Sequence, residues 1–171
     1  MPELLSYWLP LPDAISLIRF TNEQIAEMVA VAPDRFVGLG GVPLQDVDAA
    51  IRELEFVVKQ LGFRGVEIAS HVNGTSIGDP KFEPFFKAAV ALGASVFVHA
   101  LRPSGMERFV SDVPEQVVGF PCDIGLAAAS MITGGTASLH PDLKIAFSHG
   151  GGAISVMLPR LMQGARTMPG R

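Results

Sequence analysis

Three of the four histidines follow short apolar runs: His71 after Val66-Glu67-Ile68-Ala69, His99 closing Phe97-Val98-His99, and His149 closing Phe147-Ser148-His149. Neutral imidazole binds divalent metals and carries protons near neutral pH. Histidines at equivalent ends of consecutive strands would therefore face one cavity, with a metal ligand beside an acid–base group. His99 and His149 hold such positions, and His71 is a candidate on the loop after its strand. His140, in His140-Pro141-Asp142, reads as a turn residue at the opposite end of the sheet. Two histidines are fewer than the three protein ligands usual for a catalytic zinc. Gly150-Gly151-Gly152 has neither dinucleotide-fingerprint nor P-loop spacing and signals only close backbone approach. Cys122, the one cysteine, excludes an internal disulfide, fits a reducing compartment and reads as a small buried side chain.

The elements that must position these groups alternate between two periods. Thr21-Asn22-Glu23-Gln24 reads as a capping box opening a helix through Ile25, Met28, Val29 and Ala32, stopped by Pro33. Phe36 to Leu39 reads as a strand. From Asp46, the positions Val47, Ala50, Ile51, Leu54, Val57, Val58 and Leu61 trace one helical face, and Gly62 closes it. The pattern then repeats: a strand over Val66 to Ala69, a loop from Ser70 to Asp79, and a helix over Phe82 to Leu92 capped by Asp79-Pro80 and ended by Gly93. A third strand covers Ser95 to Val98. A helix over Asp123 to Thr133, a fourth strand over Lys144 to Ser148 and a helix from Ala153 to Gly164 complete the series. Such spacing predicts an α/β fold of about four βα units, with a parallel sheet covered by helices.

A 171-residue chain supports one domain, though a complete (β/α)8 barrel takes roughly 250 residues. Four units alone would leave two exposed sheet edges, so the expected arrangement is part of a barrel or pairing with another copy. The composition, 49% hydrophobic and 18% charged, is that of a packed globular protein. A net charge of −4 without a basic run argues against nucleic acid as a partner. Pro2, Pro10 and Pro12 interrupt the apolar start, which argues against a signal peptide, a spanning helix or a membrane partner and for a cytoplasmic protein.

A wider set of motifs carries a family resemblance. Arg35-Phe36-Val37-Gly38-Leu39-Gly40, Leu61-Gly62-Phe63-Arg64-Gly65-Val66, His71-Val72-Asn73, Ser130-Met131-Ile132-Thr133-Gly134-Gly135, Pro141-Asp142-Leu143-Lys144 and Ser148-His149-Gly150-Gly151-Gly152-Ala153 run through most of the chain, with Ser6-Tyr7-Trp8 ahead of them. As a set they resemble the amidohydrolase superfamily, in the branch typified by aminocarboxymuconate-semialdehyde decarboxylase. The resemblance implies that residues 1–171 form a single domain, the central part of a TIM-like barrel holding its third to sixth strands and lacking its first and last. It implies His99 as a metal ligand, His149 as the catalytic residue, and Arg160 as a substrate-carboxylate group reaching a neighbouring subunit's site. His71 is taken as substrate-binding. The family's His-x-His pair and terminal Asp have no counterpart in the matched stretch. Family decarboxylases often follow the metal His with Pro-Trp, where this chain has Ala100-Leu101-Arg102.

The activity so implied is non-oxidative decarboxylation of a small unsaturated or aromatic carboxylate, with one divalent ion, zinc, and a homodimeric enzyme. A hydrolase of the same superfamily and a non-catalytic barrel fragment are the alternatives.

Overall fold

The computed structural model describes residues 2–110 and 112–167. Strands β1 (Leu39–Gly41), β2 (Gly65–Ala69), β5 (Ser95–His99) and β6 (Lys144–Phe147) form one parallel sheet in that order. Val66 pairs with Val96 and Val96 with Ile145, so the apolar positions of successive strands lie in rows across the sheet. Val66, Ile68, Val96 and Val98 point to the helical side and are buried against Leu54, Val57, Phe85, Phe86 and Ile124. Each such side chain contributes roughly 1.5–3 kcal/mol through removal from water. The alternate residues Leu39, Phe97 and Ala146 face the other side of the sheet and keep more exposure. Four consecutive βα units are present, as expected.

The covering helices are α1 (Leu11–Val31), α2 (Val47–Lys59), α3 (Glu83–Ala91), α4 (Gly119–Thr133) and, after β6, α6 (Ile154–Thr167). A four-residue helix, α5 (Thr136–Leu139), lies between α4 and β6. Asp46 caps α2 by accepting the Ala49 N–H at 2.7 Å, and Gly62 and Gly93 take the left-handed conformations that let the chain leave the helices. At the edge of β1, the Asn22 side chain accepts the Gly41 N–H at 2.7 Å and donates to the Gly41 carbonyl at 3.0 Å, in place of a neighbouring strand. Glu53, almost fully buried, accepts from the same amide and from Arg19, whose guanidinium lies 3.5 Å over the Phe56 ring. Among the described residues no helix is long and apolar enough to cross a membrane.

Several boundaries differ from expectation. α1 begins ten residues before the expected capping box, because Pro10 and Pro12 supply its start and Ala14 and Ile18 are buried. Thr21 is consequently mid-helix and donates to the Leu17 carbonyl. β1 sits three residues late, since Phe36 and Val37 are exposed. The Ser70-to-Asp79 loop contains a small antiparallel hairpin, β3 (His71–Val72) with β4 (Thr75–Ser76). α4 starts four residues early and turns Cys122 outward, so this thiol is exposed rather than buried. His140 is more than a turn residue: its Nε2 meets Glu83 Oε1 at 2.8 Å, joining the α5–β6 loop to the start of α3.

Candidate active site

His99 ends β5 and shares the open face of the sheet with Ser95 and Phe97, while Val96 and Val98 point into the helical core. Its Nδ1 lies 2.9 Å from the Ala100 carbonyl. A carbonyl can only accept, so Nδ1 carries the hydrogen and Nε2 keeps its lone pair, the form in which imidazole binds a metal.

His149 follows β6 in an exposed, left-handed conformation, φ 51°, ahead of three glycines with positive φ. Such a conformation is sterically costly for a residue with a Cβ and persists when the surroundings impose it. Gly152 supplies one reason: a Cβ there would run into the Pro121 carbonyl, so the turn lies directly against the first turn of α4. The Ala153 N–H donates to that carbonyl at 2.9 Å. The close approach brings the rings of His99 and His149 edge to face, with centroids 5.3 Å apart. Phe120, on α4, packs on both, at 6.4 Å from His99 and 5.5 Å from His149.

His71 lies on β3, and both its nitrogens are engaged. Nδ1 accepts the Gly74 N–H at 3.1 Å, which leaves the hydrogen on Nε2 to donate to the Arg102 carbonyl at 3.2 Å. Arg160 lies on α6, exposed, just after the in-helix Pro159. The structure thus brings together His99 and His149, and places His71 and Arg160 elsewhere.

Other polar groups at this end of the sheet carry no recognisable motif. Ser70, directly after β2, donates its hydroxyl to buried Asp123 on α4 and its N–H to the His99 carbonyl at 2.9 Å. Tyr7 accepts the Ala69 N–H at 3.4 Å, and burial pushes its phenol far above the ordinary value, with the Glu67 carboxylate acting in the same direction. Glu67 faces the open side of β2, and among the described residues its buried Oε1 finds no hydrogen-bond partner. The Gln45 amide and the Ser148 hydroxyl are likewise buried and without a partner among the described residues. Orphaned buried polar atoms of this kind call for a ligand, an ion, water or a further protein group. Among the described residues no group of three His, Cys, Asp or Glu side chains is placed to hold a metal. The fit to a divalent ion is therefore partial: His99 offers one nitrogen in a suitable form, and the described residues do not complete a set of ligands around it.

A sequence model of the amidohydrolase family matches residues 8–168. The chain belongs to that family. It is 37% identical over 169 residues to the 2-amino-3-carboxymuconate-6-semialdehyde decarboxylase of Dictyostelium discoideum, covering 99% of the chain and 47% of that protein. It superposes on the crystal structure of 5-carboxyvanillate decarboxylase from Sphingomonas paucimobilis with a TM-score of 0.85 and 34% identity, covering 96% of the chain and 51% of that structure. The 5-carboxyvanillate decarboxylase of Novosphingobium aromaticivorans, solved with manganese and 4-hydroxy-3-methoxy-5-nitrobenzoic acid, gives a TM-score of 0.80 at 29% identity, over 94% of the chain and 47% of its own. The chain spans about half the length of the curated relatives it matches. Its sheet is the corresponding part of a TIM-like amidohydrolase barrel.

Proposed function

We propose that this amidohydrolase forms the central part, and a single domain, of a metal-dependent non-oxidative decarboxylase acting on a small aromatic or unsaturated carboxylate. The observation that carries the reading is the His99–His149 pair, edge to face at the ends of adjacent strands, with one imidazole in its metal-binding tautomer. The named activities of the relatives support the reaction class.

His99 Nε2 would hold a divalent ion, zinc or manganese, together with donors outside the described residues. That ion would polarise the bound carboxylate substrate and withdraw electron density from the carbon to be cleaved. Breaking the carbon–carboxylate bond releases carbon dioxide and leaves an electron pair on carbon, where a proton must arrive. His149, exposed beside His99, can deliver that proton and be recharged from solvent. Phe120 packs against both rings from the side of α4. Arg160, exposed on α6, would bind a carboxylate in a neighbouring subunit's site, its planar fork matching the two oxygens. This assignment carries the homodimer with it. His71 would act at the rim of the site through the loop it holds rather than through a free ring nitrogen. The unpaired Cys122 thiol suits a reducing, cytoplasmic setting.

The test is carbon dioxide release by the protein that carries this chain, loaded with zinc or with manganese, across a panel of aromatic and unsaturated carboxylates, esters, lactones and amides. Release from a carboxylate is the expected result. Hydrolysis without carbon dioxide would make the protein a hydrolase of the same family.

A further inference from the structure

Three residues beyond His99, Arg102 holds a left-handed backbone conformation with φ 48°. A branched or long side chain adopts this region only where neighbours hold it there. The neighbours are identifiable. His71 Nε2 donates to the Arg102 carbonyl at 3.2 Å, and the Gly74 N–H fixes that tautomer from the other side of the ring. The guanidinium carbon lies 3.6 Å from the centroid of the Trp8 ring. Trp8 follows Tyr7, whose carbonyl accepts from the Asn73 side chain at 2.8 Å. Backbone and side chain of Arg102 are thus fixed at once, which is unusual for an exposed arginine.

A guanidinium held over an indole ring has its cation–π contact on one side and N–H groups left to meet the two oxygens of a carboxylate. None of the ion pairs among the described residues involves Arg102. Beside it opens a cavity of about 220 Å³ lined by Tyr7, Trp8, His71, Asn73, Leu101 and Arg102. Its walls are two aromatic rings, Leu101 and polar groups, and among the described residues its one cation, Arg102, has no carboxylate in an ion pair with it. We propose that this cavity is an anion subsite for a small planar carboxylate, with Arg102 receiving the carboxylate edge-on beside the Trp8 indole. The choice of ligand class deepens the function proposed above and rests on it, whereas the cavity, the cation and the indole do not.

Trp8 is the one tryptophan of the 171-residue sequence, so intrinsic fluorescence reads this cavity directly. The experiment titrates the metal-free chain with benzoate, with benzamide as the neutral isostere and with inorganic phosphate as a non-planar anion, so that neither metal nor turnover is needed. Saturable change with benzoate, at least tenfold weaker with benzamide and with phosphate, is expected. Arg102→Gln, which removes an exposed charge without disturbing the core, should weaken benzoate at least tenfold. Arg102→Lys should recover only part of the affinity, because an ammonium cannot offer two parallel N–H groups. Equal response to benzoate and benzamide, equal affinity for phosphate, or unchanged affinity in Arg102→Gln with an unaltered circular-dichroism spectrum would each overturn the proposal. Carbon dioxide release by the loaded protein is measured separately, so either reading can fail while the other stands.

Discussion

Ser70 donates its hydroxyl hydrogen bond to the buried carboxylate of Asp123, tying the end of β2 to α4 directly behind His99. The same serine donates its N–H to the His99 carbonyl at 2.9 Å, and its oxygen lies 3.4 Å from the Leu101 N–H. One side chain and its backbone therefore fix the segment on either side of the proposed metal ligand. Removing the carboxylate in Asp123→Ala should cost about 1–3 kcal/mol by leaving buried polar groups unpaired. Urea denaturation measures it. If the network positions His99, metal affinity should fall in Asp123→Asn as well, even where stability is nearly restored.

His99 and His149 should separate in a variant test. His99→Ala should lose metal, because one of few neutral donors is gone. His149→Ala should keep it and lose turnover by roughly 10²- to 10⁴-fold, the scale of a missing proton-transfer group. Metal content and turnover are both needed. Equal metal loss in the two variants would make His149 a second ligand.

The Tyr7 phenol predicts an alkaline limb in stability. Burial raises its folded-state pKa above the ordinary tyrosine value of about 10, so the folded chain holds this proton more tightly than the unfolded chain does. The associated stability is intact below that value and is lost as pH rises beyond it. Tyr7 is the one tyrosine of the chain, so tyrosinate absorbance reports its ionisation without ambiguity. It should appear together with unfolding. Tyr7→Phe should be less stable at neutral pH, lacking the acceptor for the Ala69 N–H, but should show a flatter alkaline limb.

Arg160→Ala should raise KM for a carboxylate substrate at least tenfold while leaving the melting temperature within a degree or two, since α6 contains no buried residue and the side chain is exposed. Unchanged kinetics would remove Arg160 from the site.

The sequence showed the repeating parts of the fold well because period and punctuation agree there. Asp46 and Gly62 bracket α2, and Val66 to Ala69 and Ser95 to Val98 are short, mainly apolar runs whose inward positions Val66, Ile68, Val96 and Val98 are all β-branched. It misled at Thr21, where a good capping sequence lies inside a helix whose real start is set by two prolines and by burial of Ala14 and Ile18. His99 and His149 were legible because strand ends fix where they point. Ser70, Asp123 and Glu67 were not, since a polar residue's partner on another element leaves no spacing signal. The hydrogen-bonding of His71 could not be read either, because it depends on the hairpin that returns Gly74 to its ring.

Sheet neighbours here are also sequence neighbours, from β1 through β2 and β5 to β6. A ribosome therefore delivers the layers in the order in which they pair, and each new strand finds its template already waiting. His99 is in place once β5 has docked on β2, but its companion arrives only with β6. Chains arrested on the ribosome before Lys144 emerges should hold a protease-resistant three-stranded layer with a solitary histidine at its end. The histidine pair then becomes a product of the step in which β6 docks on β5, and the chemistry proposed for it cannot begin before that step.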